Sequence, residues 1–200
     1  MESGARRGVQ REHVIEAAYT CFARNGLQRT TMEDIARELR RSRPVVYRYF
    51  SDKGDLFRAV AGDLMQTAIA DARSGAEAAT STADRVVAVL EAKLALAVRV
   101  YADSPHHARD LLAQDTGLVA DQAAEYIDEL ARLVTGALSA ELDVDTAAER
   151  AAILIALTRG LEDDMSDLDL TRSRLRLAVD LVCAHDGNAA SGRETRTRNA

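Results

Sequence analysis

Apolar residues recur three and four apart along most of the chain, and this spacing predicts helices. Val14, Ile15, Ala18, Cys21 and Phe22 define a first helix from about Arg11 to Asn25. Asn25-Gly26 closes it: Gly26 can take the left-handed conformation, and Leu27 can pack back onto the helix. A second helix begins at Thr30-Thr31, where Thr30 with Glu33, or Thr31 with Asp34, forms a capping box. Its buried face is Ile35, Ala36 and Leu39. Ser42 caps a third helix with Pro44 in the first turn, where a missing N–H costs nothing, and Val46 and Phe50 point inward. Ser51 or Asp52 opens a fourth helix carrying Leu56, Phe57, Val60 and Leu64.

Beyond Arg73 the pattern fades into Ser74–Thr82, which reads as a loop or frayed linker. A fifth helix, about Ala83–Ala102, is apolar nearly all round, which predicts a central element with no solvent face. Pro105 breaks the chain, and a short helix covers about His106–Gln114. Leu118–Leu142 is amphipathic through Val119, Ala123, Tyr126, Ile127, Leu130, Leu133, Val134, Ala137 and Leu138. Thr146 and Glu149 form a capping box for an eighth helix containing the fully apolar run Ala151–Leu157, and a ninth spans about Thr171–His185. The sum is an all-α protein of about nine helices. Its expected divisions are an amino-terminal unit over 9–56, a larger helical unit over 57–186, and a polar, disordered tail over 187–200.

Composition changes this picture in one respect. Net charge is −6, which taken alone argues against nucleic acid. The charge is unevenly placed: residues 1–58 hold 12 Lys+Arg against 8 Asp+Glu, and the remainder holds 14 against 24. A net of +4 joined to a net of −10 suits a basic nucleic-acid module on an acidic body. Cys21 and Cys183 both fall in helical apolar patterns, so neither a disulfide framework nor a zinc cluster is indicated. The amino-terminal residues are polar and basic, and Ala151–Leu157 is too short to span a bilayer, so a soluble cytoplasmic protein is expected.

The candidate chemistry lies in the second and third helices, separated by about three residues as in a helix-turn-helix. A recognition helix aims its amino-terminal end at base edges, so it needs small or flat residues and a bidentate donor for guanine. Arg43, Pro44 and Val45 supply these. Tyr47 and Tyr49 have hydroxyls able to reach phosphates, and Lys53 stands at the start of the fourth helix.

The stretch from His13 to Val60 resembles the amino-terminal domain of the TetR family of transcriptional regulators. The matching landmarks are the Phe22–Gly26 turn, Thr31, Ile35-Ala36, Ser42, the Tyr47–Phe50 run, and Lys53 followed by Leu56. They fall at consistent spacing over the first quarter of the chain, while the later helices agree only in number and order. The resemblance implies that Thr31 and Tyr47 touch backbone phosphates, that Arg43, Pro44 and Val45 face bases, that Tyr49 touches phosphate, and that Lys53 anchors the fourth helix. The family usually has Gly and then an apolar residue in the turn, where this chain has Arg40 and Arg41. Arg40 in a left-handed position is strained, and two readings stay open: extra cations for the phosphate backbone, or a solvated turn on a slightly different path.

In the second unit, a pocket is expected between the fourth and eighth helices, reached by Leu94, Val98, Tyr101, Leu112, Tyr126 and Leu130. Few aromatics favour an aliphatic or lipid-like effector. The eighth and ninth helices are expected to pair with their symmetry mates through Ala151, Ala152, Ile155, Ala156, Leu175, Ala178, Val179 and Val182. His106 and His107 diverge on their helix, and the acidic group Glu162, Asp163, Asp164, Asp167 and Asp169 lacks calcium-loop spacing, so no metal or cofactor is expected. No nucleophile elbow, phosphate loop or paired catalytic carboxylate motif appears, so an enzyme is not expected. The leading reading is a homodimeric repressor that binds a palindromic DNA operator and is released by a small hydrophobic ligand. The competing readings are an enzyme using the helical body and a DNA-binding factor with no effector.

Overall fold

The computed structural model describes residues 2–112, 117–162 and 167–184. Among them lie nine helices and no strand: α1 (Glu2–Arg29), α2 (Met32–Glu38), α3 (Arg43–Tyr47), α4 (Lys53–Ala78), α5 (Thr82–Asp103), α6 (Ala108–Leu112), α7 (Ala120–Leu138), α8 (Val144–Glu162) and α9 (Leu168–Cys183). The all-α expectation holds. No described helix is long and apolar enough to cross a membrane. The tail assigned to 187–200 and the acidic positions Asp163 and Asp164 lie outside the described residues.

The ends of the helices follow from short polar side chains. Gly26 adopts φ 76° and ψ 158°, a backbone region open essentially to glycine alone, and breaks α1 before its last turn. Thr30 is buried and donates its hydroxyl to the carbonyls of Gly26 (2.8 Å) and Cys21 (3.1 Å), sealing that break. Thr31 is then the cap of α2, in a reciprocal capping box with Asp34. The alternative Thr30–Glu33 box does not form, because the cap residue of α2 is Thr31 and its N3 residue is Asp34. Asp52 caps α4 and Ser81 caps α5.

Several boundaries differ from the pattern-based expectation. The helix α1 starts at Glu2, well before Arg11. The loop assigned to Ser74–Thr82 is mostly helix: α4 continues to Ala78. Its small residues serve close packing, since a Cβ on Gly75 would sit 3.1 Å from the Ala88 Cβ of α5. Ser42 stands at the start of α3 without a side-chain cap bond. Asp143, not Thr146, provides the acceptor at the start of α8, its carboxylate taking the Thr146 N–H at 3.0 Å. Asp167 likewise starts α9 one turn before Thr171. Helix α5 does have a solvent strip, Glu91, Ala95 and Arg99, and it hides Lys93 on its other side.

Two apolar clusters meet along α4. The first joins Val14, Phe22, Ile35, Val46, Phe50, Leu56 and Phe57 and reaches Val119 at the start of α7. Phe22 and Phe57 meet edge to face with centroids 5.6 Å apart. The second joins α5, α7, α8 and α9 through Val86, Leu90, Leu130, Val134, Leu138, Leu154, Leu175 and Val179. Met65 packs against both, so α4 is the shared beam. Each fully buried Leu, Val or Phe here contributes about 1.5–3 kcal/mol of apolar transfer energy.

Candidate nucleic-acid interface and adjoining cavity

The turn between α2 and α3 is built by hydrogen bonds. The Arg41 N–H donates to the Ala36 carbonyl (2.9 Å) and the Arg40 N–H to that of Arg37 (3.0 Å). This pair is a Schellman turn, which places one residue in the left-handed region. That residue is Arg40, at φ 55°, and it is the one positive-φ non-glycine among the described residues. The turn therefore keeps the path a glycine would give it, and Arg40 and Arg41 project as exposed cations.

Helix α3 is held by Val46 and Phe50, buried beneath it, while Arg43, Pro44 and Tyr47 face solvent and Val45 is half-buried. Arg43 lies over the Tyr47 ring (5.7 Å to the centroid), donates to its hydroxyl at 3.4 Å, and sits 3.5 Å from the Glu33 carboxylate. Hydrogen bonding to Tyr47, with help from Glu33, raises its already high pKa. The guanidinium is thus parked on α2 and α3, all within reach of solvent. Arg48 lies over Tyr49 and donates to its hydroxyl at 3.1 Å, so the Tyr49 ring, half-buried on the first core, carries a cation with it. Thr31 is exposed, and its hydroxyl holds the Asp34 carboxylate, whose pKa falls below the usual range chiefly through the bonds from Thr31. Lys53 donates its ammonium to the Gln28 carbonyl at 3.1 Å, tying the start of α4 to the end of α1. All nine predicted interface positions therefore lie on or beside α2, α3 and the first turn of α4. Glu33 and Arg48 were missed in the sequence; the pairing of Glu33 with Arg43 becomes visible only when α2 and α3 are folded together, whereas Arg48 pairs with its neighbour Tyr49.

A cavity of about 80 Å³ lies directly behind this unit. Tyr19 and Phe22 of α1 form one wall, and α4, α5, α6, α7 and the end of α8 form the others. Of the six residues expected in a pocket, Leu112 and Tyr126 line it. Leu94 and Val98 line a separate groove with Leu168 and Thr171, Leu130 is fully buried in the second core, and Tyr101 is half-buried outside the lining. The cause is register: α5 presents Lys93, Leu96, Ala97 and Val100 to the cavity, a stripe one residue away from Leu94, Val98 and Tyr101.

Four polar side chains belong to this wall, Lys93, Glu162, Tyr126 and Tyr19. Lys93 is 2% exposed and its ammonium donates to the Glu162 carboxylate. Burial pushes its pKa down and Glu162 pulls it partly back. Tyr126 is 7% exposed, its hydroxyl has no partner among the described residues, and burial raises its pKa. Tyr19 donates to Asp103 at 2.6 Å, and burial and that bond push its pKa up to about 12.

The outer face of α8 and α9 carries Ile153, Leu157, Leu170, Leu177 and Leu181, all exposed, with Leu181 at 69%. Among the residues assigned to this interface, Ala152 and Ala156 are exposed and Ala178 and Val182 half-buried. Ala151, Ile155, Leu175 and Val179 instead face the chain's own core.

Residues 14–60 match the family model described as bacterial regulatory proteins, tetR family. No curated protein sequence matches the chain. Solved structures share the fold at low identity. A transcriptional regulator from Cytophaga hutchinsonii is 20% identical, with 86% of this chain and 95% of that chain covered and a TM-score of 0.70. The regulator FadR from Bacillus subtilis, solved in complex with stearoyl-CoA, is 16% identical over 86% and 97%, with a TM-score of 0.62. SmeT, solved with triclosan, is 18% identical over 90% and 93%, with a TM-score of 0.65. Residues 14–60 are thus similar to the amino-terminal domain of the tetR family of bacterial regulatory proteins, and the chain as a whole shares the fold of these solved regulators.

Proposed function

We propose that the protein is a homodimeric, cytoplasmic repressor that grips a palindromic operator through two copies of α3 and lets go when a small hydrophobic effector enters the cavity behind α1. The observation that carries this reading is the composition of the cavity wall: Tyr19 and Phe22 belong to the DNA-binding unit, whereas Leu96, Ala97 and Val100 belong to the body. A molecule wedged there pushes the two apart. Phe22 packs on Phe57, so movement of α1 carries the first core, and with it α3, along. In a dimer the two recognition helices must stand about 34–36 Å apart to enter successive major grooves, so a modest tilt disengages one of them. The effector acts by its differential affinity for the two arrangements. The complexes of FadR with stearoyl-CoA and SmeT with triclosan support an apolar effector.

In this reading Thr31, Tyr47, Tyr49 and Lys53 hold phosphates, Arg40 and Arg41 add cations beside them, and Arg43, Pro44 and Val45 meet base edges. Base contact requires Arg43 to leave Glu33 and Tyr47, a small cost because the pair is exposed. Dimerisation is supported by the row Ile153, Leu157, Leu170, Leu177 and Leu181, an apolar strip that a soluble monomer rarely leaves uncovered.

Selection from random duplexes should return an inverted repeat. Leu177→Glu, on the exposed strip, should lower both the mass in sedimentation and the affinity for that repeat. A monomer that binds the repeat at full affinity, or a selected site with no symmetry, would overturn the dimeric reader.

A further inference from the structure

The polar atoms of the cavity restrict what can fill it. The lining is aliphatic along Val60, Leu64, Leu96 and Val100, so a saturated body fits without loss of hydrogen bonds. At one side stand Lys93, Glu162 and Tyr126. Lys93 and Glu162 already neutralise each other. A carboxylate placed beside them would add a second negative charge in a poorly hydrated space, and an ammonium would add a second positive one. Among the described lining residues no further charge stands ready to pair with either, and Arg159 of α8, which also acts on Lys93, is exposed to water that screens it. The Tyr126 hydroxyl is different: it is neutral, buried and unpartnered among the described residues. Natural interiors rarely tolerate such a group unless something completes its bond. Tyr19 cannot compete for the same molecule, because its hydroxyl is held by Asp103.

We propose that the effector is a neutral amphiphile, an aliphatic chain with one carbonyl or hydroxyl oxygen that takes the hydrogen bond offered by Tyr126. This rests on the cavity being the effector site. The oxygen sits beside the Lys93–Glu162 pair without disturbing it, and the chain runs toward Phe22 and Leu96. Such a ligand satisfies the buried hydroxyl and places its apolar part against α1.

The test is calorimetric titration of the full-length protein with a matched six-carbon series: hexan-2-one, hexan-1-ol, hexanoate, hexylamine and hexane. The two neutral oxygenated compounds should bind about tenfold more tightly than hexane, the size of one net hydrogen bond, and more tightly than either ion. Tyr126→Phe should erase the preference of hexan-2-one over hexane while leaving hexane binding unchanged, which also shows that the variant is folded. Ala97→Trp, or the smaller plug Val100→Phe, should abolish binding of every member. Tightest binding by hexanoate or hexylamine, with loss in the plugged variants, would overturn the neutral ligand and keep the cavity as the site. Binding that survives both plugs would overturn the cavity itself. Absence of binding by the whole series, or a preference unaffected by Tyr126→Phe, would overturn the proposal.

Discussion

Replacing Arg40 separates what a turn costs from what its charge contributes. Arg40 occupies φ 55° in a turn closed by the Arg40 and Arg41 N–H groups. A residue with a Cβ in the left-handed region costs about 1–2 kcal/mol. Glycine avoids that but gives up about 0.5–1 kcal/mol of additional chain entropy on folding. The balance favours Arg40→Gly over Arg40→Ala by about 0.5–1 kcal/mol; both lose the guanidinium, so their difference reports only the backbone. For a protein of this length about 1 kcal/mol moves the melting temperature by about 2–4 °C. Scanning calorimetry should therefore place Arg40→Gly about 1–4 °C above Arg40→Ala. The DNA side behaves oppositely: both variants should bind the selected operator more weakly, each lowering the salt slope by about one unit if the guanidinium neutralises one phosphate. A glycine variant that melts no higher than the alanine variant would refute the strain argument. An unchanged salt slope in both would make Arg40 a solvated turn residue.

Arg43→Ala should cost about 1–3 kcal/mol and relax preference at one base position per half-site; equal weakening on all sequences would assign Arg43 to phosphate. Lys53→Ala should weaken every sequence alike and reduce the salt slope by about one unit, whereas an unchanged slope would leave the Gln28 carbonyl as its only role. Gly26→Ala should destabilise the fold by about 1–3 kcal/mol in thermal denaturation, since it forces a Cβ into φ 76° and to 3.0 Å from the His107 ring; a wild-type melting temperature would contradict this.

The helix-turn-helix was legible because its determinants are local. Thr31 and Asp34 are three residues apart and Pro44 marks the first turn of α3, while the left-handed position of Arg40 was implied by the resemblance to a family that usually has Gly there. The continuation of α4 through Gly75 was not legible, because its reason is the approach of Ala88 from another helix. The cavity wall was missed by a single step of rotation on α5. The polar edge of this run is thin, Glu91 and Arg99 on the solvent strip, and Lys93, which lies on the cavity side, looks in sequence like a third solvent-facing charge. Helix α8 shows the same ambiguity. With apolar residues on both sides, pattern alone could not say that Leu154 and Ile155 turn inward while Ile153 and Leu157 turn outward.

Contacts between α1 and the α5–α6 corner give the proposed switch a physical route. Tyr19 bonds Asp103 at 2.6 Å, the Ser104 hydroxyl donates to the Ala23 carbonyl at 2.8 Å, and the His107 ring lies against Gly26. These three contacts fall on the last turns of α1, on the side where the cavity touches Tyr19. Between them they tie the DNA-binding unit to the helices that would feel an effector, and Gly26 admits the His107 ring only because it lacks a Cβ. Two arrangements that differ in the seating of α1 on this corner would differ both in cavity size and in the spacing of the recognition helices. Thermodynamic linkage then fixes the size of the response: whatever factor the effector takes from operator affinity, the operator must take from effector affinity. A tight corner transmits the motion fully but makes the cavity harder to open, so the affinity for effector and the depth of the response are set by the same few contacts.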